Sequence, residues 1–227
     1  MKYENVIMGR FLSRPNRFIA HVDIDGKDEI CHVKNTGRLG ELLIPGRIVY
    51  LQECDSEKRK TGYDVIAVEK DGRTVNIDSL ATNKCVTEWI EDGGLFGHTE
   101  LIRPEYTYKD SRFDVFCIHD GKKTLIEVKG VTLEKNGTAL FPDAPTVRGA
   151  RHLKGLIDAV DEGYECYVIF VIQMKGVYMF SPNTVQDRQF SDMLKKAYDR
   201  GVSVLAFDCI VSGDSIRLDS EIPVVFR

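Results

Sequence analysis

Hydrophobic and polar positions change rhythm once along the chain. Up to about residue 80 the apolar residues alternate in short runs broken by glycine turns. IAHVDID and ICHVKN flank Asp25-Gly26-Lys27 and predict a hairpin, because Asp-Gly tolerates the positive φ angles of a tight turn. GRIVYLQEC, YDVIAVEKDG and TVNIDS continue the pattern, with turns at Thr61-Gly62 and Asp71-Gly72. About five short strands in so short a span predict a small barrel of the OB type. NTGRLGELLIPG (Asn35 to Gly46) interrupts it, and the spacing of Leu39, Leu42 and Leu43 predicts one helical turn ended by Pro45-Gly46.

From Asn83 the period lengthens. NKCVTEWIEDGG places Val86, Trp89 and Ile90 on one helical stripe closed by glycine. Three strand-like runs follow, LIRPEYTYK, RFDVFCIH and TLIEVKGVTL. TVRGARHLKGLIDAVDEG predicts a helix with Leu153, Leu156, Ile157 and Val160 on one stripe, Thr146 as N-cap and Gly163 as stop. YVIFVIQM is continuously apolar, as a central buried strand requires. VYMFSPN, the charged helix SDMLKKAYDRG and VSVLAFDCIV complete the pattern. The expectation is an α/β (α+β overall) chain: a small OB-like barrel over residues 1–82, then a mixed-sheet α/β domain over residues 83–227.

Composition narrows the function classes. The chain has 227 residues, 43% hydrophobic and 29% charged, which excludes disorder for most of its length. No apolar run approaches the roughly 20 residues that span a bilayer. The N-terminal stretch carries charges where a secretion signal needs an apolar core. A cytoplasmic location without membrane contact is the expectation. The six cysteines show no C-x-x-C and no zinc-finger spacing, and three lie in strand-like runs, as buried reduced thiols do. A net charge of −4 excludes a surface coated in basic groups, so a nucleic-acid partner must be argued from a local site.

That site lies around Asp120-Gly121, the strongest hairpin signal in the chain. With the turn centred there, paired residues have numbers summing to 241, so Asp114 faces Glu127 and Arg112 faces Lys129. Arg112, Asp114, Glu127 and Lys129 then share a face with Phe116, Ile118 and Leu125, while Phe113, Val115, Ile126 and Val128 cover the other. Two carboxylates directly opposite each other repel. A divalent cation removes the problem, since Mg²⁺ takes one or two carboxylates together with waters and substrate phosphate. Lys129 is placed to hold the attacking water or the phosphate charge. The alternative reading is diagonal ion pairing on a solvated face, Arg112 to Glu127 and Lys129 to Asp114.

Asp114 followed by Glu127-Val128-Lys129 resembles the D…ExK core of the PD-(D/E)XK nuclease superfamily, whose order of helix, three strands, helix and strand is the order read above. The resemblance implies that Asp114, Glu127 and the Val128 backbone carbonyl hold Mg²⁺ or Mn²⁺, and that Lys129 assists the nucleophilic water. A more specific resemblance covers nearly the whole chain. HVKNTGRLGELLIPG, SRFD, IEVKGVTL and FPDAPTVRGARHLKGL are similar to the sugar fermentation stimulation protein A family. It implies an OB-like domain, a restriction-endonuclease-like (PD-(D/E)XK) domain, DNA binding and a link to regulation of sugar (maltose) utilisation. Gly130 departs from the family pattern, in which Ser is common there. Two functions follow as expectations: metal-dependent phosphodiester hydrolysis of nucleic acid, DNA first, or a non-catalytic DNA-binding regulator. A binder that needs the cation without cleaving is a third. Restriction-type folds often pair, so a homodimer is a further expectation.

Arg148 and His152 are i, i+4 on the predicted helix and share a face able, with Arg112, to contact phosphate. Asp143 either turns the chain into that helix or adds a carboxylate behind the metal pair. Glu105, and Glu88 less so, offer a third acid. In the barrel, Arg10, Arg14 and Arg17 accompany Phe11 and Phe18, and Asn35 and Arg38 are the better nucleic-acid contacts because Gly37 and Gly40 allow close backbone approach. His21, His32, His98 and His119 lack ligand spacing.

Overall fold

The computed structural model describes residues 1–54 and 59–227. Five strands close the first barrel: β1 (Val6–Asn16), β2 (Ile19–Ile24), β3 (Lys27–Val33), β4 (Ile48–Glu53) and β5 (Tyr63–Lys70). They pair in the order β3-β2-β1-β4-β5, and a parallel β3–β5 contact completes the ring. β6 (Arg73–Asn76) extends β5 across the Asp71-Gly72 turn. The predicted Asp25-Gly26 hairpin forms, with both residues at positive φ. The hydrophobic pattern does not single out β1, because its arginines and its exposed Met8 and Leu12 blur the alternation. That strand bends to close the barrel. Its register slips twice against β2, and at Gly9 a Cβ would stand 2.5 Å from Val22 Cγ1. The Asn35–Gly46 loop makes its single turn, Leu42 and Leu43 donating to the Leu39 carbonyl at 3.0 and 2.8 Å, and buries all three leucines in the core.

The second unit begins with α1 (Ala81–Glu91) and the antiparallel strands β7 (Leu101–Tyr108), β8 (Ser111–His119) and β9 (Lys122–Val131). A small hairpin follows, β10 (Leu133–Lys135) and β11 (Thr138–Phe141), then α2 (Val147–Val160), β12 (Glu165–Ile172), β13 (Met179–Pro182), α3 (Arg188–Asp199), β14 (Ser203–Val211) and β15 (Ile216–Glu221). The main sheet runs β15-β14-β12-β9-β8-β7, with β9, β12 and β14 parallel, while β13 joins the small hairpin in a second sheet. α1 covers one face, setting Cys85, Val86 and Ile90 against Val115, Ile126, Val128 and Ile169. α2 covers the other with Leu153, Leu156 and Ile157. Its N-cap is Thr146, whose hydroxyl accepts from the Gly149 amide at 3.0 Å.

Strict alternation fails at one place. It puts Phe113 on the face of Val115, but Phe113 packs with Phe116 and Leu125 beneath α2, its ring 5.9 Å from that of His152. The β7–β8 ladder skips the pair Glu105/Asp114, where Glu105 adopts φ 55°, and the strand turns over at that step. A buried polar seam joins barrel and sheet. Gln173 donates to Asn76 Oδ1 at 2.7 Å and to the Asp78 carbonyl at 3.1 Å. Arg73 donates to the Lys175 carbonyl at 3.0 Å, and Lys70 and Arg73 both pair with Glu134.

All six cysteines are free, five of them buried. Burial pushes Cys31 and Cys166 up to about 12 and Cys85 and Cys117 up to about 11, so these thiols stay protonated at neutral pH. Among the described residues no helix is long and apolar enough to cross a membrane.

Candidate metal and phosphate site

The β8–β9 ladder keeps the 241 register from His119↔Lys122 to Val115↔Ile126 and then stops. Asp114 and Glu127 therefore do not form a ladder pair. β8 leaves β9, and the Asp114 side chain takes over the edge: Oδ2 accepts the Val128 amide at 2.8 Å, and Oδ1 accepts Asn83 Nδ2 at 2.8 Å. In an extended strand the N–H and C=O of one residue project to the same edge, so the Val128 carbonyl also faces the Asp114 side. Glu127, on the still-paired β9–β12 ladder, is 1% exposed. Its Oε1 accepts His152 Nδ1 at 2.6 Å and pairs with the Lys129 ammonium. Its Oε2 is buried and has no partner.

Of the two carboxylates, the buried Glu127 has the Lys129 ammonium and the half-buried Asp114 has no cation within ion-pairing distance among the described residues. Burial and the neighbouring Glu127 charge push Asp114 above the usual carboxylate range, against Lys129, the Val128 amide and Asn83. Burial also pulls Glu127 upward, but the Lys129 charge and His152 outweigh it and hold this carboxyl below its usual range. The site retains a surplus negative charge and an orphaned oxygen. A hard divalent cation fits that deficit, because the available donors are two carboxylates and a carbonyl. Among the described residues no cluster of three or more His, Cys, Asp and Glu could hold a metal, so water and substrate would complete its shell.

Several predicted residues lie elsewhere than the sequence suggests. His152 is 3% exposed and bonded to Glu127, and its Nε2 accepts Arg148 Nε at 3.4 Å, so both ring nitrogens are engaged and it braces the carboxylate. Neither diagonal ion pair forms. Lys129 pairs with Glu127, while Arg112 pairs with Glu105 at 3.5 Å, both of them exposed, which removes Glu105 from the acidic pair. Glu88 binds the N-terminal ammonium at 2.7 Å. Asp143 Oδ2 accepts the Arg38 amide at 2.9 Å, tying the barrel loop to the second domain. Asn35 is spent inside that loop, its Oδ1 on the Gly37 amide and its Nδ2 on the Ile77 carbonyl. Arg14 is spent there too, donating to the Arg17, Asn35, Gly37 and Arg38 carbonyls. Arg38 and Arg148 keep exposed side chains. Sequence reasoning missed Asn83, whose only signal is its place in the first turn of α1. It also missed Gln173, whose Oε1 would lie 2.6 Å from a Cβ at Gly130.

An OB barrel followed by a mixed-sheet domain that brings Asp114, Glu127 and Lys129 together defines a two-domain protein of α/β class. The family model described as SfsA N-terminal OB domain matches residues 12–77, and the one described as sugar fermentation stimulation protein RE domain matches residues 80–215. The chain belongs to the sugar fermentation stimulation protein family. It is 55% identical to the sugar fermentation stimulation protein homolog of Ruminiclostridium cellulolyticum over 99% of each chain. It is 54% identical to the homolog of Clostridium beijerinckii, covering 99% of this chain and 100% of that one. The solved structure of Pyrococcus furiosus SfsA in complex with Ca²⁺ superposes with a TM-score of 0.91 at 30% identity, covering 99% of this chain and 98% of that one.

Proposed function

We propose that this protein binds nucleic acid, DNA in the first place, and hydrolyses its phosphodiester bonds with Mg²⁺ or Mn²⁺. The observation that carries the reading is the unpartnered, buried Glu127 Oε2 beside an Asp114 whose charge is under-compensated. The Ca²⁺ complex formed by the Pyrococcus furiosus relative supports a site for hard cations. Asp114, Glu127 Oε2 and the Val128 carbonyl would hold the cation, which supplies Lewis-acid polarisation of a phosphate oxygen and an acidified water. His152, itself steadied by Arg148, fixes the Glu127 rotamer. Asn83 fixes Asp114. Once a cation neutralises Glu127, the Lys129 ammonium is available to hold the attacking water or a phosphate oxygen. The exposed Arg148 and Arg112 meet the phosphate backbone, whose contacts position the substrate without reading its sequence.

The test is cleavage of labelled single-stranded, double-stranded and branched DNA, and of RNA, with Mg²⁺ and separately with Mn²⁺. The double variant Asp114→Ala/Glu127→Ala, prepared identically, controls for contaminants. Metal-dependent cleavage by the wild type alone is the expected result. Salt-sensitive binding without any cleavage overturns the hydrolytic reading. It would favour the non-catalytic regulator of sugar-utilisation genes to which the family name points.

A further inference from the structure

Two cavities lie along the domain seam, and the catalytic reading uses neither. The first, about 300 Å³, opens between the barrel loop at Asn35–Gly37 and the second domain. Gly130, next in sequence to Lys129, and Thr146, the cap of α2, both line it. The second, about 560 Å³, shares Leu133, Leu140 and Asp143 with the first, so the two run together as one groove. Its walls carry three exposed cations, Arg38, Lys135 and Arg227. Among the described residues none of them has a carboxylate within ion-pairing distance, unlike Lys34, Lys70 and Arg73 nearby. Two acids face the same groove, Glu41 and Asp143, and Asp143 already accepts the Arg38 amide.

Two large apolar side chains stand exposed next in sequence to residues of the first cavity. Ser79 and Thr146 line it, and the residues that follow them, Leu80 and Val147, are 68% and 81% exposed. Large aliphatic side chains held in water at the rim of a polar cleft suit the faces of unstacked bases. Inside, Gln173 commits its amide nitrogen to Asn76 and Asp78, which leaves Oε1 as an acceptor on the wall.

We infer that a single strand of nucleic acid lies along this groove, its phosphates against Arg38, Lys135 and Arg227, with one unstacked base seated beside Gly130 between Leu80 and Val147. The inference rests on the nucleic-acid reading above and adds the strandedness and the path. The first cavity, about 300 Å³, is of the size of a single nucleotide and begins one residue from Lys129, so a base enclosed in it sits apart from its pairing partner.

The experiment is fluorescence anisotropy of a labelled 20-mer oligothymidine and of a blunt duplex of the same length, over a salt series with EDTA and with Ca²⁺. Wild type is compared with Arg38→Gln/Lys135→Gln/Arg227→Gln, with Ala144→Trp, which fills the first cavity, and with Arg217→Glu at the far sheet edge as a control. Circular dichroism and thermal unfolding establish that each variant is folded. Wild type should bind the single strand more tightly than the duplex. The triple variant should bind the strand about tenfold or more weakly, with a log–log salt slope less negative by about 2, from three contacts at about 0.7 each. Ala144→Trp should lose the preference for the single strand with its slope unchanged, and Arg217→Glu should match wild type. Equal affinity for strand and duplex overturns the inference. A folded triple variant with wild-type affinity and slope does so too, while leaving the nucleic-acid reading in place. Failure of the wild type to bind either oligonucleotide overturns both.

Discussion

Each domain draws a pair of carboxylates wholly or partly out of water, and the two pairs are treated in opposite ways. In the barrel, Asp64 and Asp78 are 2% and 1% exposed. Lys34 bridges them at 3.4 and 2.7 Å, Arg59 and His32 add to Asp64, and the Tyr3 hydroxyl and the Leu80 amide serve Asp78. No side-chain oxygen of that pair is left without a donor among the described residues. In the second domain, Lys129 pairs with Glu127 alone, Asp114 has no cation within ion-pairing distance among the described residues, and one Glu127 oxygen has no donor. A buried acid that is fully satisfied is structural. An acid drawn out of water and left under-compensated is a candidate functional group.

The contrast can be broken most forcefully at Lys34. Lys34→Met strands Asp78 and weakens Asp64, and should cost about 3–5 kcal/mol in urea unfolding with EDTA present. Asp114→Asn, which removes a charge the fold does not compensate, should stay within about 1 kcal/mol of wild type in the same assay. If Asp114→Asn costs as much as Lys34→Met, the two clusters are alike and the distinction fails. Next in size is metal linkage. Mn²⁺ at a hundred times its dissociation constant should stabilise wild type by about 2.7 kcal/mol. Thermal unfolding should show the same upward shift in Lys34→Met relative to its own metal-free baseline, and none in Glu127→Gln.

The smallest effect lies in acid titration, where Asp64 and Asp114 should have opposite signs. Burial raises Asp64, but Arg59, Cys54 and Lys34 together hold it below its usual range. Its stabilisation is therefore present above its unfolded value of about 3.9 and is lost as pH falls through the depressed folded pKa. Asp64→Asn should flatten the loss of stability on the acid side. Asp114 is raised, so the folded chain binds its proton more tightly than the unfolded chain does, and its contribution declines as pH rises from about 3.9 to the folded pKa. Asp114→Asn should steepen the acid-side loss. Urea midpoints between about pH 3 and pH 6 decide the sign for each.

Local chemistry made much of the fold legible. Asp25-Gly26 and Asp120-Gly121 set two hairpins, and the second fixed the 241 register that brought Asp114, Glu127 and Lys129 to one end of the sheet. Thr146 and the leucine stripe of α2 were equally readable. The β10–β11 hairpin escaped notice, although Asn136-Gly137 sits at its turn, because its strands are only three and four residues long. At the site, chain-distant geometry defeated the pattern. Glu105 in a left-handed conformation interrupts the β7–β8 ladder opposite Asp114, the β8–β9 ladder stops at Val115, and Asp114 meets the Val128 amide and not Glu127. His152 lies on the predicted face, but no spacing rule says that this face is buried on a carboxylate. Asn83 stands 31 positions from the side chain it holds. Periodicity shows which residues share a face, and only packing shows which atoms are already spoken for.

Gly130 carries one consequence for how this sequence can drift. A Cβ there would stand 2.6 Å from Gln173 Oε1 and 3.0 Å from Thr82 Cγ2, and swinging Gln173 aside would give up its bonds to Asn76 and Asp78. A relative with serine at this position must therefore rebuild position 173, or the seam behind it, in the same step. The two sites should co-vary across descendants, so the residue beside the lysine records how the two domains are joined.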